Sequence, residues 1–423
     1  MHNEQLFPMG RLKCLAQWFM SFLILLILSS CSHASSTISP TTSSPPTTSS
    51  TSQTNSPSVQ VVRNQLVDAS GKQLRLLGVN IQGTESACIR NKGISTSPLT
   101  ASEAEEMASW GANAVRVPLN EDCWLGINGA PARYSGGAYR AAIIEWVSEL
   151  NAHGIVAILD LHWSAPGQIR ATEEWPMADA DHSLQFWSDV ASSFVSDKGV
   201  VFDLFNEPYL GLGHPSVADW ECWQKGCEGS FPVCNSGDHI AGGPTRQCHS
   251  VVFRTAGMQQ LLDSVRRTGA RQPVMIGGLD WASDLCTGRG PASTAEGCLW
   301  LKYQPTDPDH QLMASIHNYN FTSCNTLSCW NSNISPLAEN VPVVTGELGE
   351  RDCSASYIDR YMSWADQHGI SYLAWAWQSP ADAREPCDEQ NTDLLGSSPG
   401  QANPNSPVAV AFKAHLHASS TGG

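Results

Sequence analysis

Eight short apolar runs, each set off from the next by helix-compatible sequence, leave this chain few folds to choose from. The runs are 74–80, 114–118, 156–162, 200–206, 273–278, 312–319, 341–347 and 372–377. Each is rich in β-formers and too uniformly apolar to have a solvent face, as strands covered on both sides are. Between them lie amphipathic patterns. Ser102 with Glu105 reads as a capping box, and Ile143, Trp146, Val147 and Leu150 form one stripe before Gly154. Leu184, Trp187, Ala191 and Phe194 form a second stripe, and 253–265, 357–364 and 408–416 give three more. The stretches after the fifth and sixth runs are less clear. Alternation of this kind predicts an α/β fold, specifically a (β/α)8 TIM barrel over residues 61–418. A doubly wound sheet is the alternative, but no GxGxxG or GxxxxGK[ST] follows any run, so a nucleotide-binding version has no support.

In a barrel of this type the residues that act sit at the C-terminal ends of the strands. Those positions hold Arg116, His162, Asn206, Glu207, His317, Tyr319, Glu347 and Trp377. There is no G-x-S-x-G and no HExxH. Two carboxylates stand out, Glu207 after the fourth run and Glu347 at the end of the seventh. One carboxyl kept protonated and one kept ionised is the requirement of glycoside hydrolysis. Glu350 is read as a surface or supporting acid, and Asp160 and Asp203, inside their strands, as buried hydrogen-bonded supports. His317 and Tyr319, two apart, share one strand face.

Phe205-Asn206-Glu207-Pro208, with Val343-Val344-Thr345-Gly346-Glu347 three strands later, resembles glycoside hydrolase family 5, the cellulase A family of the clan A retaining glycosidases. Arg116 in Val-Arg-Val-Pro, His162 in Leu-Asp-Leu-His-Trp, His317-Asn318-Tyr319 and Trp377 follow in the family's order. The resemblance implies that Glu207 is the acid/base and Glu347 the nucleophile of a retaining mechanism. It implies that Asn206 binds the sugar 2-hydroxyl, Tyr319 holds the nucleophile and His317 orients the acid/base. Arg116 would lower the pKa of Glu347, and His162 and Trp377 would line the subsite where the bond breaks. The expected substrate is a β-1,4-linked polysaccharide or oligosaccharide, with endo-β-1,4-glucanase first and β-mannanase or exo-glucosidase next. No cofactor and no metal are implied. A non-catalytic surface glycan-binding lipoprotein is the rival from another class; it would need the tryptophans but neither glutamate.

Fifteen tryptophans divide between helical stripes and loops after strands. Among the loop set, Trp163 and Trp281 are the expected sugar platforms. The charge balance narrows the partners. Twenty-four Lys+Arg against 40 Asp+Glu, and only 15% charged residues, exclude a phosphate backbone as partner and a polybasic membrane surface. A monomer is expected.

The N-terminus predicts export. Arg11 and Lys13 precede an apolar run at 18–28, too short to span a bilayer, which reads as a signal. Leu28-Ser29-Ser30-Cys31 resembles a bacterial lipobox, with Cys31 the lipidated residue; plain cleavage at the following Ser/Ala residues is the alternative. Residues 1–31 are thus the leader, 32–60 a disordered Ser/Thr/Pro stalk, and 419–423 a disordered tail. A membrane is met only through the lipid, and the location is extracytoplasmic. Twelve of the 14 cysteines lie beyond Cys31, an even number that suits disulfides in an oxidising compartment. All twelve fall after strands, so disulfides are expected to rigidify the active face; the pairing stays open.

Overall fold

A computed structural model describes residues 56–234, 248–286, 297–352, 354–378, 394–395 and 406–421. The expected leader with Cys31, the stalk up to residue 55, and Cys353 and Cys387 lie outside the described residues.

Eight parallel strands close into a barrel. They are β1 (Leu77–Ile81), β2 (Ala114–Asn120), β3 (Val156–Trp163), β4 (Val200–Asp203), β5 (Val274–Gly277), β6 (Leu312–Tyr319), β7 (Val343–Gly349) and β8 (Ser371–Trp377). Each pairs with its successor, and β8 returns to β1. Period-two alternation sorts the side chains into two clusters. Val115, Val117, Ala157, Leu159, Phe202, Ile276, Ala314 and Tyr372 face outward into the main core. Ala114, Val156, Ile158, Val201, Met275, Met313, Val344 and Leu373 face inward and fill the lower barrel.

A short antiparallel sheet, with strands Gln60–Val62, Gln65–Val67 and Gln73–Leu74, closes the lower end. Its Val59, Val61 and Leu66 join the inward cluster. The Val59 amide donates to Lys198 O, and the Val61 amide to Gln311 Oε1, just before β4 and β6 begin. The expected fold boundary of 61 is therefore late, because Val59 is already buried. The last helix, Pro407–Thr421, likewise runs into the expected tail.

Helices Ala101–Ser109, Gly137–Ala152, Ser183–Ser193, Met258–Arg266 and Ser356–Gln367 cover the outside. Two local readings are corrected. The first helix is capped by Thr100, whose side chain accepts from the Glu103 amide, rather than by Ser102. Phe253 belongs to a hairpin strand, Cys248–Arg254, that pairs with Glu228–Cys234, so the helix starts only at Met258. Of the two readings of Glu350, the supporting one holds. It is buried and accepts from the Tyr357 and Ile358 amides, satisfying the first turn of Ser356–Gln367.

Five disulfides join Cys88–Cys123, Cys222–Cys227, Cys234–Cys248, Cys286–Cys298 and Cys324–Cys329. All lie on the side of the barrel where strands end. Cys88–Cys123 ties the loop after β1 to the loop after β2 over a separation of 35 residues. Chain entropy makes such a closure worth about 3–4 kcal/mol.

Candidate active site

Above the apolar plug the inward positions turn polar. Arg116 of β2 is fully buried and stands among three carboxylates. Its Nη2 lies 3.0 Å from Asp160 Oδ2, its Nε 2.9 Å from Asp203 Oδ2 and its Nη1 2.8 Å from Glu347 Oε1. Nη2 also donates to Asn206 Oδ1 and Nη1 to Asn80 Oδ1. A buried guanidinium needs this many acceptors to offset its desolvation. One planar fork thereby sets the positions of β1, β3, β4 and β7 residues together. Asp160 and Asp203 are the supports that their in-strand positions predicted.

Glu347 lies on β7 beside His317 on β6, and Tyr319 Oη donates to Glu347 Oε2 at 2.7 Å. Glu207 follows β4 with a left-handed backbone, φ +49°. Its Oε1 is 2.8 Å from His317 Nδ1. One oxygen of each glutamate and a ring nitrogen of His317 all lie within 4.8 Å of one another. Gly346 makes room for this packing: a Cβ there would stand 3.0 Å from His317 Nε2 and 2.7 Å from Ser315 Oγ.

The two glutamates are driven apart in acidity. Burial, then the Glu347 charge, pushes the Glu207 carboxyl well above its ordinary range. Burial also works to raise Glu347, but His317, Arg116, His162 and the Tyr319 hydroxyl outweigh it and hold Glu347 below its usual value. Burial likewise lowers His317. For His162, burial pulls down, and the Asp160 charge and its 2.6 Å hydrogen bond to Nδ1 overcome that, lifting the imidazole to about 9. The two facing carboxyls are thus pushed in opposite directions, Glu207 toward keeping its proton and Glu347 toward losing it.

The aromatic assignments need correction. Trp377 is buried in the outer core, edge-on to Trp110 at 4.8 Å, with Nε1 donating to Glu103 Oε2. The β8 residue beside the site is Trp375, stacked parallel to His162 at 5.6 Å. The pairing of β8 with β1 shifts register between Ala374 and Trp377, which breaks the alternation that would put both rings on one face. Trp163 is not an open platform either. Alternation from His162 sends it outward, it is 6% exposed, and the Arg90 guanidinium lies 5.0 Å from its ring centroid. Trp124, Trp220, Trp223 and Trp330 are fully buried. Trp281 is half-buried and lies flat against Tyr209, with centroids 4.8 Å apart.

Two participants had been missed. Asn80 ends β1 and donates to Gly346 O and Ala374 O while accepting from Arg116, bracing the strand that carries Glu347. Its place at the end of an apolar run was the available signal. Glu174, in the loop after β3, is pushed up to about 8 by burial and then by the Glu207 charge; nothing in its local sequence marks it.

A model of the cellulase family, glycosyl hydrolase family 5, matches residues 67–380. The chain belongs to glycosyl hydrolase family 5. An endoglucanase of Microbulbifer sp. (strain ALW1) is 25% identical over 179 residues, covering 41% of this chain and 29% of the relative. A mannan endo-1,4-beta-mannosidase of Cellvibrio japonicus (strain Ueda107) is 21% identical over 322 residues, covering 74% and 57%. The chain thus spans less than two thirds of the length of either relative. Among solved structures, a β-glucanase from Saccharophagus degradans in complex with cellotetraose superposes with a TM-score of 0.58 at 19% identity, covering 86% of this chain and 94% of that one. An endo-beta-1,4-glucanase from Xanthomonas axonopodis pv. citri gives 0.57 at 18%, covering 82% and 100%. These likenesses establish the same barrel.

Proposed function

We propose that this family 5 enzyme is an exported, retaining β-glycosidase that cleaves β-1,4-linked glycan internally, with endo-β-1,4-glucanase as its activity. The observation that carries the reading is the proximity of the Glu207 and Glu347 carboxyls, with oxygens within 4.8 Å. Double displacement needs carboxyl groups about 5–5.5 Å apart, whereas inversion needs room for a water between them. Glu347 attacks the anomeric carbon from one face while Glu207 protonates the departing glycosidic oxygen. The covalent glycosyl-enzyme is then hydrolysed by water that Glu207, now ionised, deprotonates.

The surroundings suit each step. Tyr319 and Arg116 hold the two Glu347 oxygens, so the attacking carboxylate is fixed. Asn206 Nδ2 is buried and has no protein partner among the described residues, which suits donation to the oxygen of a sugar hydroxyl. Trp375, held parallel to His162, supplies an apolar face to the sugar ring. Trp281, held parallel to Tyr209, is the further aromatic surface we assign to substrate.

Five disulfides favour an oxidising compartment, in line with a secreted or lipid-anchored protein modified at Cys31. The direct test is reducing-sugar release from carboxymethyl-cellulose and from β-mannan, with Glu347→Gln as control. Release from cellulose that is lost in the variant supports the reading. Release from mannan alone moves the substrate to mannan, and release from neither sinks the polysaccharidase assignment. For the anchor, Cys31→Ser should free the protein from membranes; a wild-type chain already free of them removes that part.

A further inference from the structure

Cations are scarce in this chain, 24 against 40 acids, yet four of them converge on one short segment of the active face. The loop after β1 carries Arg90 and Lys92, both exposed. From the loop after β2, Arg133 reaches Asn91, with Nη2 2.9 Å and Nε 3.2 Å from its Oδ1. From the loop after β3, Arg170 donates from Nη2 to Ile89 O at 2.6 Å. Arg90 itself lies over Trp163, the residue next to His162. Three successive loops thus deliver positive charge to residues 89–92, and the Cys88–Cys123 disulfide fixes two of those loops together.

These charges are not neutralised by the fold. Among the described residues, no ion pair within 4.0 Å joins Arg90, Lys92, Arg133 or Arg170 to a carboxylate. Four acids of the same loops are engaged elsewhere. Glu85 accepts from the Gly83 amide, Glu121 from Ser183, Asp122 from the Ala171 amide and Asn128, and Asp179 from the 181 and 182 amides. Unpaired guanidinium groups that are already held by neutral acceptors keep free N–H edges for an incoming anion.

We propose that the rim formed by Arg90, Lys92, Arg133 and Arg170 recognises acidic groups on the glycan, so that the substrate is a β-glycan bearing carboxylate or sulfate substituents. The inference rests on the glycosidase reading and narrows its substrate class. A neutral glucan leaves this rim unused. A charged one meets it on the face where the strands end, with attraction that weakens as salt rises.

The test separates binding from turnover. Full-length Glu347→Gln protein is run in native gels containing carboxymethyl-cellulose, cellulose sulfate or hydroxyethyl-cellulose of matched substitution. Retardation by at least one anionic polymer should exceed that by the neutral polymer, and should fall as salt rises. Adding Arg90→Gln and Arg133→Gln should weaken anionic binding about fivefold, as expected for two exposed ion pairs. Hydroxyethyl-cellulose retardation should stay within about twofold, which also reports intact folding. The preferred anion, carboxylate or sulfate, is read from which polymer loses most. Equal retardation by all three polymers, or an equal loss on all three in the double variant, overturns the proposal. Turnover by the parent enzyme is scored separately, so a failure of hydrolysis and a failure of anion recognition give different results.

Discussion

Tyr319 and Glu347 meet through a single hydrogen bond, Oη to Oε2 at 2.7 Å, across the β6–β7 pair. The bond favours the ionised carboxylate, as do the charges of His317, Arg116 and His162 that together outweigh burial. The acidic limb of kcat/KM should therefore follow Glu347 and the alkaline limb Glu207. Removing the hydroxyl in Tyr319→Phe takes away a bond that lowers the Glu347 value, so the acidic limb should move to higher pH. A hydrogen bond to a charged group is worth about 1.5–3 kcal/mol, so kcat/KM should also fall by at least about tenfold. A pH–rate profile with an unmoved acidic limb would detach Tyr319 from that role.

Glu207→Gln removes the proton donor but not the nucleophile. Turnover of ordinary glycans should drop by at least about a hundredfold, while aryl glycosides with very good leaving groups should lose far less. Comparing the two substrate types in the variant and the parent checks this; an equal loss on both would reassign Glu207.

Trp375 and Trp377 should separate cleanly. Trp377→Ala removes a fully buried ring packed on Trp110 and should cost about 3–5 kcal/mol, seen in denaturant unfolding. Trp375→Ala should leave most of that stability in place and lower kcat/KM instead. The reverse pattern would restore Trp377 to the sugar.

Glu121, buried at the start of the helix after β2, gives a stability prediction. Burial, then the Asp179 charge, raises its carboxyl well above the ordinary value. Its folded value exceeds its unfolded one, so its contribution is fully present below the unfolded value and is lost as pH rises through the folded one. Glu121→Gln should therefore lose less Tm than the parent as pH rises above the ordinary glutamate range. Parallel Tm–pH curves would place the proton elsewhere.

Much of this was readable from the chain. Strands buried on both faces leave long apolar runs, and 312–319 coincides with β6 from end to end. Glu207, Glu347, Arg116, Asn206, His317 and Tyr319 converge because strand ends in a closed barrel must. What failed were positions where a local irregularity decides the side. Trp377 was expected at the site because period two cannot register a shift near the end of β8, and Trp375 was not considered. Trp163 was misjudged for the opposite reason: strict alternation from His162 already sent it outward. Glu174 was invisible because its character comes from a through-space neighbour, Glu207.

The sheet that seals the lower barrel also sets an orientation. Val59 is pinned to Lys198 at the pole opposite Glu207 and Glu347, so the first described residues join the barrel at the end away from the cleft. A cell surface, a matrix or a neighbouring protein held at that pole would leave the cleft facing outward.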